Sequence, residues 1–61
     1  MQFLLLTTIG SEIPNHAIRI STIDSLFAEE DGSTTIHFND NSNAIVHVKE
    51  SIGTICEAIN G

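Results

Sequence analysis

A chain of 61 residues holds one domain at most, residues 1–61, and its one cysteine, Cys56, can make no internal disulfide. Two basic residues, Arg19 and Lys49, stand against eight acidic ones, which excludes the set of lysines and arginines by which proteins displace counterions from nucleic-acid polymers. No segment approaches the ~20 apolar residues of a membrane span, and no CxxC or HxxxH spacing offers a zinc staple.

So short a chain buries only roughly 60% of the surface its unfolded form exposes. With disulfide and metal both lacking, self-association is the support left to it by elimination. The acidic balance helps keep a small protein soluble. The N-terminal "MQFLLLTTIG" is apolar but lacks the positive n-region, the long apolar core and the cleavage site of a signal peptide, so a cytoplasmic protein is expected.

"QFLLLTT" opens the chain as a β-prone run, and "IGSE" reads as a turn in which Gly10 takes positive φ. "SEIP" is a brief strand at most, ended by Pro14, which lacks the N–H a ladder needs. In "HAIRISTIDSLFAE", Ile18 and Ile20 alternate as in a strand. Ile23 then breaks the parity, predicting a bulge or twist near Ser21–Thr22. Ile20, Ile23 and Phe27 also fit a 3.6-residue period, so strand and helix both stay open for residues 18–28. The Thr, Ser and β-branched content favours strand.

"EEDGS" is the clearest turn, with Asp31-Gly32 as a hairpin signal. "TTIHFN" then alternates, with Thr34, Ile36 and Phe38 on one face and Thr35 and His37 on the other. "AIVHVK" repeats the pattern, with Ala44, Val46 and Val48 against Ile45, His47 and Lys49. The turn cluster "DNSN" separates the two runs. The last element changes period: Ile52, Ile55, Cys56 and Ile59 form the apolar stripe of an amphipathic helix. Ser51 is its N-cap candidate and Gly61 follows the last turn. The expected fold is α+β: an antiparallel meander of four or five strands, small enough to curl toward a barrel, with one C-terminal amphipathic helix on one face.

Two histidines, His37 and His47, flank the "DNSN" loop. Inward Ile36 and Phe38 must lie with Val46 and Val48, so the numbers of facing residues sum to an even value. A sum of 84 sets His37 opposite His47. A sum of 82 sets His37 opposite Ile45 and diagonal to His47. Both registers place the two imidazoles on one outer face, within roughly 5–8 Å. Two ligands do not make a zinc site, and no third is indicated by spacing, so no metal is expected. His16, in the turn after Pro14, adds nothing by spacing alone. Lys49 shares the outer face and Arg19 has the matching parity. Arg19, His37, His47 and Lys49 are therefore the candidate contacts for a small anionic ligand. Ile45 and His47 are the candidate contacts for another copy or a partner protein.

Cys56 lies in the predicted apolar stripe, where a cysteine behaves as a small hydrophobe rather than a nucleophile. Asp24-Ser25 with a histidine makes a triad on paper, but no nucleophile elbow, Gly-rich loop or acid pair supports it. "EEDG" lacks the alternating oxygen ligands of a calcium loop. No catalytic residue and no cofactor are expected.

The order "LLTTIGSEI", "IPNHAIRISTIDSL", a turn, "TTIHF" and "VHVKESIGTICEAI" resembles the FlbD-like small flagellar-operon proteins and similar short bacterial and phage proteins. "VKES", Val48 to Ser51, is the sharpest part of the likeness. The chain departs at Pro14-Asn15, where the usual order at the corner is reversed, and in the longer "NDNSN" loop. No ligand residue carries over. The resemblance implies a bacterial or phage accessory factor. The expected function is a non-enzymatic, homo-oligomeric interaction module that binds a protein partner. The alternative is a phage-type binder that sequesters a small anionic nucleotide at an oligomer interface. An enzyme with sites shared between subunits is the least favoured class.

Overall fold

A computed structural model describes residues 2–41 and 43–61. These form five antiparallel strands in two sheets and one C-terminal helix, and the strands do not close into a barrel. Strands β1 (Phe3–Leu6) and β2 (His16–Arg19) make a two-stranded ribbon. A short 3-10 turn at Ile20–Thr22 leads into β3 (Ile23–Ala28), which pairs with β4 (Thr34–Phe38), itself paired with β5 (Ile45–Val48). Helix α1 spans Ile52–Asn60.

Residues 18–28 are thus extended on either side of the 3-10 turn at Ile20–Thr22, where the parity breaks. A register shift between Ile23 and Ser25 adds a bulge. The Thr22 hydroxyl donates to the Arg19 carbonyl at 2.7 Å, closing the turn. Asn39 holds it from the far side, its N–H donating to the Thr22 carbonyl and its amide to that of Ser21. "SEIP" forms no strand. Asn15 works there instead: its Oδ1 accepts the Thr8 N–H at 2.9 Å and its Nδ2 donates to the Thr8 hydroxyl. The turn before it requires glycine, since Gly10 sits at φ +96° while the Ser11 N–H bonds back to the Thr8 carbonyl.

The two sheets share one core. Leu4 and Leu6 from β1, Ile18 from β2, Ile36 from β4, Val48 from β5 and Ile55 from α1 are buried together, with Leu26, Phe38, Val46 and Ile59 packed at the margin. Past β1 the chain runs on beside β5: Thr8 bridges Val48, the Lys49 N–H donates to the Thr7 carbonyl at 2.7 Å, and the Ile9 N–H donates to the His47 carbonyl. Glu50 completes the seam. Its carboxylate accepts the Thr7 N–H on both oxygens, at 2.9 and 3.0 Å, and the Thr7 hydroxyl at 2.8 Å. Its own carbonyl accepts the hydroxyl of buried Thr34. Burial raises the Glu50 carboxyl pKa. The hydrogen bonds from the Thr7 N–H and hydroxyl, with the Lys49 charge beside it, outweigh that effect and hold it below the ordinary glutamate value.

Helix α1 begins as expected, with the Ser51 hydroxyl accepting the Thr54 N–H, and ends with the Gly61 N–H on the Glu57 carbonyl. The placement of Cys56 needs correcting. It is exposed, whereas Ile55 is fully buried and Ile52 and Ile59 are half-buried. Successive helical residues advance by about 100°. A helix that seats Ile55 deepest therefore turns Cys56 off the contact line, and one short helix on a small core covers only a narrow stripe.

Two predictions follow from this packing. Glu50→Ala should cost about 2 kcal/mol at neutral pH, the usual scale for hydrogen bonds to a charged group, read by urea unfolding. Because the folded carboxyl pKa is lowered, the contribution of ionisation is full above the unfolded value of roughly 4.3 and is lost as pH falls through the folded value. The gap between wild type and variant should therefore narrow in acid, and a gap independent of pH would contradict the assignment. Cys56 should react with a thiol reagent at one equivalent in the native protein, as fast as in denaturant.

Candidate functional site

The outer face of the three-stranded sheet carries the residues singled out from the sequence. Its register pairs Thr35 with His47 and His37 with Ile45, the 82 sum, so the histidines are diagonal neighbours. Ser42, in the intervening loop, lies outside the described residues, while Asn43 takes the left-handed conformation at φ 58° that asparagine tolerates. On β3, Phe27 faces Thr35 and Ser25 faces His37. The face therefore reads Phe27–Thr35–His47 in one row and Ser25–His37–Ile45 in the next.

His37 packs its ring against Phe27, with centroids 4.9 Å apart and planes tilted by 58°. Half of Phe27 and nearly half of Ile45 stay in solvent, at 51% and 46%. This makes an apolar patch with an imidazole in its middle. His47 is engaged differently. Its Nδ1 lies 2.9 Å from the Thr35 hydroxyl, and that hydroxyl donates to Glu29 Oε2 at 2.7 Å. The single hydroxyl proton of Thr35 goes to an acceptor-only carboxylate, so Nδ1 of His47 must be the donor. The chain of contacts orients the His47 ring through Nδ1. It runs opposite to a nucleophilic triad: the hydroxyl of buried Thr35 sits in the centre and gives its proton to the acid.

Beside His47 lies an open cleft lined by Ile9, Glu29, Glu30, Asp31 and Ser33. Its acidic wall is the β3–β4 turn. The Ser33 hydroxyl and N–H both donate to Asp31 Oδ1, at 2.6 and 3.0 Å, and they hold the Asp31 carboxyl below its ordinary pKa. Among the described residues no three His, Cys, Asp or Glu side chains gather as a metal ion requires.

Arg19 stands apart from this face. It lies on the β1–β2 ribbon with its guanidinium 5.9 Å from the centre of the Phe3 ring. It borders a second open cleft with His16, Phe38, Asp40 and Val46. Lys49 follows β5 and is exposed, its backbone tied to Thr7. Of the four candidate anion contacts, then, His37 and His47 are neighbours, and Arg19 belongs to the other sheet. Sequence reasoning missed Phe27, Thr35 and Glu29. The alternation of "TTIHF" already assigned Thr35 to the outer face, but its bonds to His47 and Glu29 required the register and the turn geometry.

No protein-family model, no curated protein and no solved structure matches this chain. Among the described residues, no helix is long and apolar enough to cross a membrane.

Thr35→Val should remove the acceptor of His47 Nδ1 and cost about 1–2 kcal/mol, whereas Thr35→Ser should restore most of it. In nitrogen-15 spectra of the neutral imidazole, wild-type His47 should be held as the Nδ1–H tautomer, and Thr35→Val should release it toward the mixture of a free histidine. An unchanged tautomer ratio would mean that Thr35 does not orient the ring.

Proposed function

We propose that this protein is a non-enzymatic interaction module that works as a small homo-oligomer and acts by binding a protein partner in the cytoplasm. The observation that carries the reading is the amount of apolar side chain left outside the core. Among the described residues, Phe3, Leu5, Ile9, Ile13, Phe27 and Ile45 are each between 46% and 68% exposed. Contiguous apolar surface on so small a body marks an interaction site. Phe27 and Ile45 lie on one sheet face around His37, while Phe3 and Leu5 lie on the ribbon. The acid-bonded hydroxyl of buried Thr35 gives no support to nucleophilic chemistry, and a non-enzymatic role is the simpler account. The likeness to the FlbD-like proteins fits an accessory role in a bacterium or phage.

The patch also suggests what kind of partner fits. Phe27 faces Thr35, which bonds Glu29 of the acidic β3–β4 turn, so the matching surface offers an apolar side chain flanked by lysine or arginine. Ile45 and His47, with Phe27 added, are the contacts assigned to it. A second reading, a binder of a small anionic ligand such as a nucleotide, draws on one feature: Arg19 over the exposed Phe3 ring, which pairs a flat apolar surface with a positive charge. That reading needs an oligomer to bring Arg19 toward His37, His47 or Lys49 of another copy.

Native mass spectrometry of gently purified protein should show integral multiples of the 6.6 kDa chain with no added mass. A discrete small mass per subunit or per interface would favour the anionic-ligand reading instead. A monomer at every concentration tested would overturn the homo-oligomer.

A further inference from the structure

We propose that a second copy of this chain docks on the outer face of the β1–β2 ribbon, the two copies packing face to face about a two-fold axis. The proposal rests on the homo-oligomer reading above and names its surface. In β1 the alternation is sharp: Leu4 and Leu6 are 7% and 4% exposed, while Phe3 and Leu5 are 54% and 63% exposed. Across the ribbon, Leu5 faces Ala17 and Phe3 faces Arg19, both of them exposed. The outer face is therefore Phe3, Leu5, Ala17 and the aliphatic and guanidinium parts of Arg19.

Charge selects this face for self-contact. The chain carries a formal net charge of −6, and none of its eight carboxylates lies in β1 or β2. Two like-charged copies repel wherever acidic surfaces meet, and screening lengths of about 8–10 Å do not remove that repulsion at contact distance. Phe27 of the other patch faces Thr35, which bonds Glu29 of the acidic β3–β4 turn, so that face is the less suited of the two to a second copy. Within its strands the ribbon face carries one charge, Arg19, which shares a cleft with Asp40. An isologous contact buries Phe3 and Leu5 of both copies at once.

Size sets the strength. Four residues of strand extend roughly 13 Å, so the face by itself falls short of the roughly 800 Å² per partner of a standard interface. The dimer is accordingly weak, with a dissociation constant on the order of micromolar or above.

Sedimentation velocity from low micromolar to several hundred micromolar, at low and at moderate salt, tests this directly. Wild type should move from monomer to dimer, and added salt should strengthen the dimer by screening like net charge, opposite to its effect on a complex with a basic partner. Leu5→Asp should weaken it about tenfold or more. Ala17→Glu, at an exposed position that demands no repacking, should do the same and carries the test if Leu5→Asp fails to fold. Ile45→Asp should leave it unchanged. A dimer indifferent to both ribbon variants, or broken only by Ile45→Asp, overturns this surface but keeps the homo-oligomer. A wild-type chain that stays monomeric throughout overturns both.

Discussion

The two sheets are joined along one seam, and a carboxylate stands in it. Glu50 stands where β5 hands over to α1, and it accepts three hydrogen bonds from the backbone and hydroxyl of Thr7, at the end of β1. Its carbonyl also accepts the Thr34 hydroxyl from the start of β4. The ribbon, the three-stranded sheet and the helix therefore meet at one residue. Together with the Thr8–Val48 bridge and the Lys49–Thr7 and Ile9–His47 backbone bonds, this tie docks Leu4, Leu6 and Ile18 of a two-stranded ribbon that is marginal in water by itself. Docked in this way, they share a core with Ile36, Val48 and Ile55. The geometry suits a carboxylate in particular, since Thr7 contributes only donors to it.

A core assembled in this way uses one face of each sheet and leaves the other to solvent. In 61 residues there is no second layer to cover either outer face, because surface grows relative to volume as chains shrink. The two faces differ in kind. The three-stranded sheet shows an apolar patch beside a polar arrangement, His47–Thr35–Glu29, joined by hydrogen bonds within the chain. The ribbon shows Phe3 and Leu5 with no acid nearby in its strands. One protein of strongly negative charge thus offers two exposed apolar surfaces that differ in the charges beside them.

How far this was legible beforehand depended on the contrast between neighbouring residues. "TTIHF" and "IVHV" mix polar and apolar residues, so their faces could be assigned and both histidines placed outside. "FLLL" has no such contrast. Either parity would serve as the core face, and the sequence was silent on whether Phe3 and Leu5 or Leu4 and Leu6 would turn inward. The hairpin register stayed open for a related reason: sums of 82 and 84 satisfy the same inward set, and the folded chain takes 82. Cys56 fitted the helical period yet lies exposed, because periodicity says which residues share a stripe but not how wide a stripe the core will cover.

Local chemistry, then, was determined by the sequence itself: extended runs, the turns at Gly10 and Asp31-Gly32, the Ser51 cap and the helix after it, and a small α+β domain. Each of these depends on side-chain size, backbone freedom or hydrogen bonding within a few residues. Tertiary structure alone decided which apolar residues were left outside, that Arg19 would lie on a different sheet from the histidines, and that Thr35 would join His47 to Glu29. It also turned Glu50 of "VKES" from an ordinary junction residue into one of the ties that hold the ribbon to the sheet. Those outcomes depend on partners far apart in the chain, 43 residues for Thr7 and Glu50. Only the docking of the ribbon, sheet and helix around a shared core brings such groups within reach.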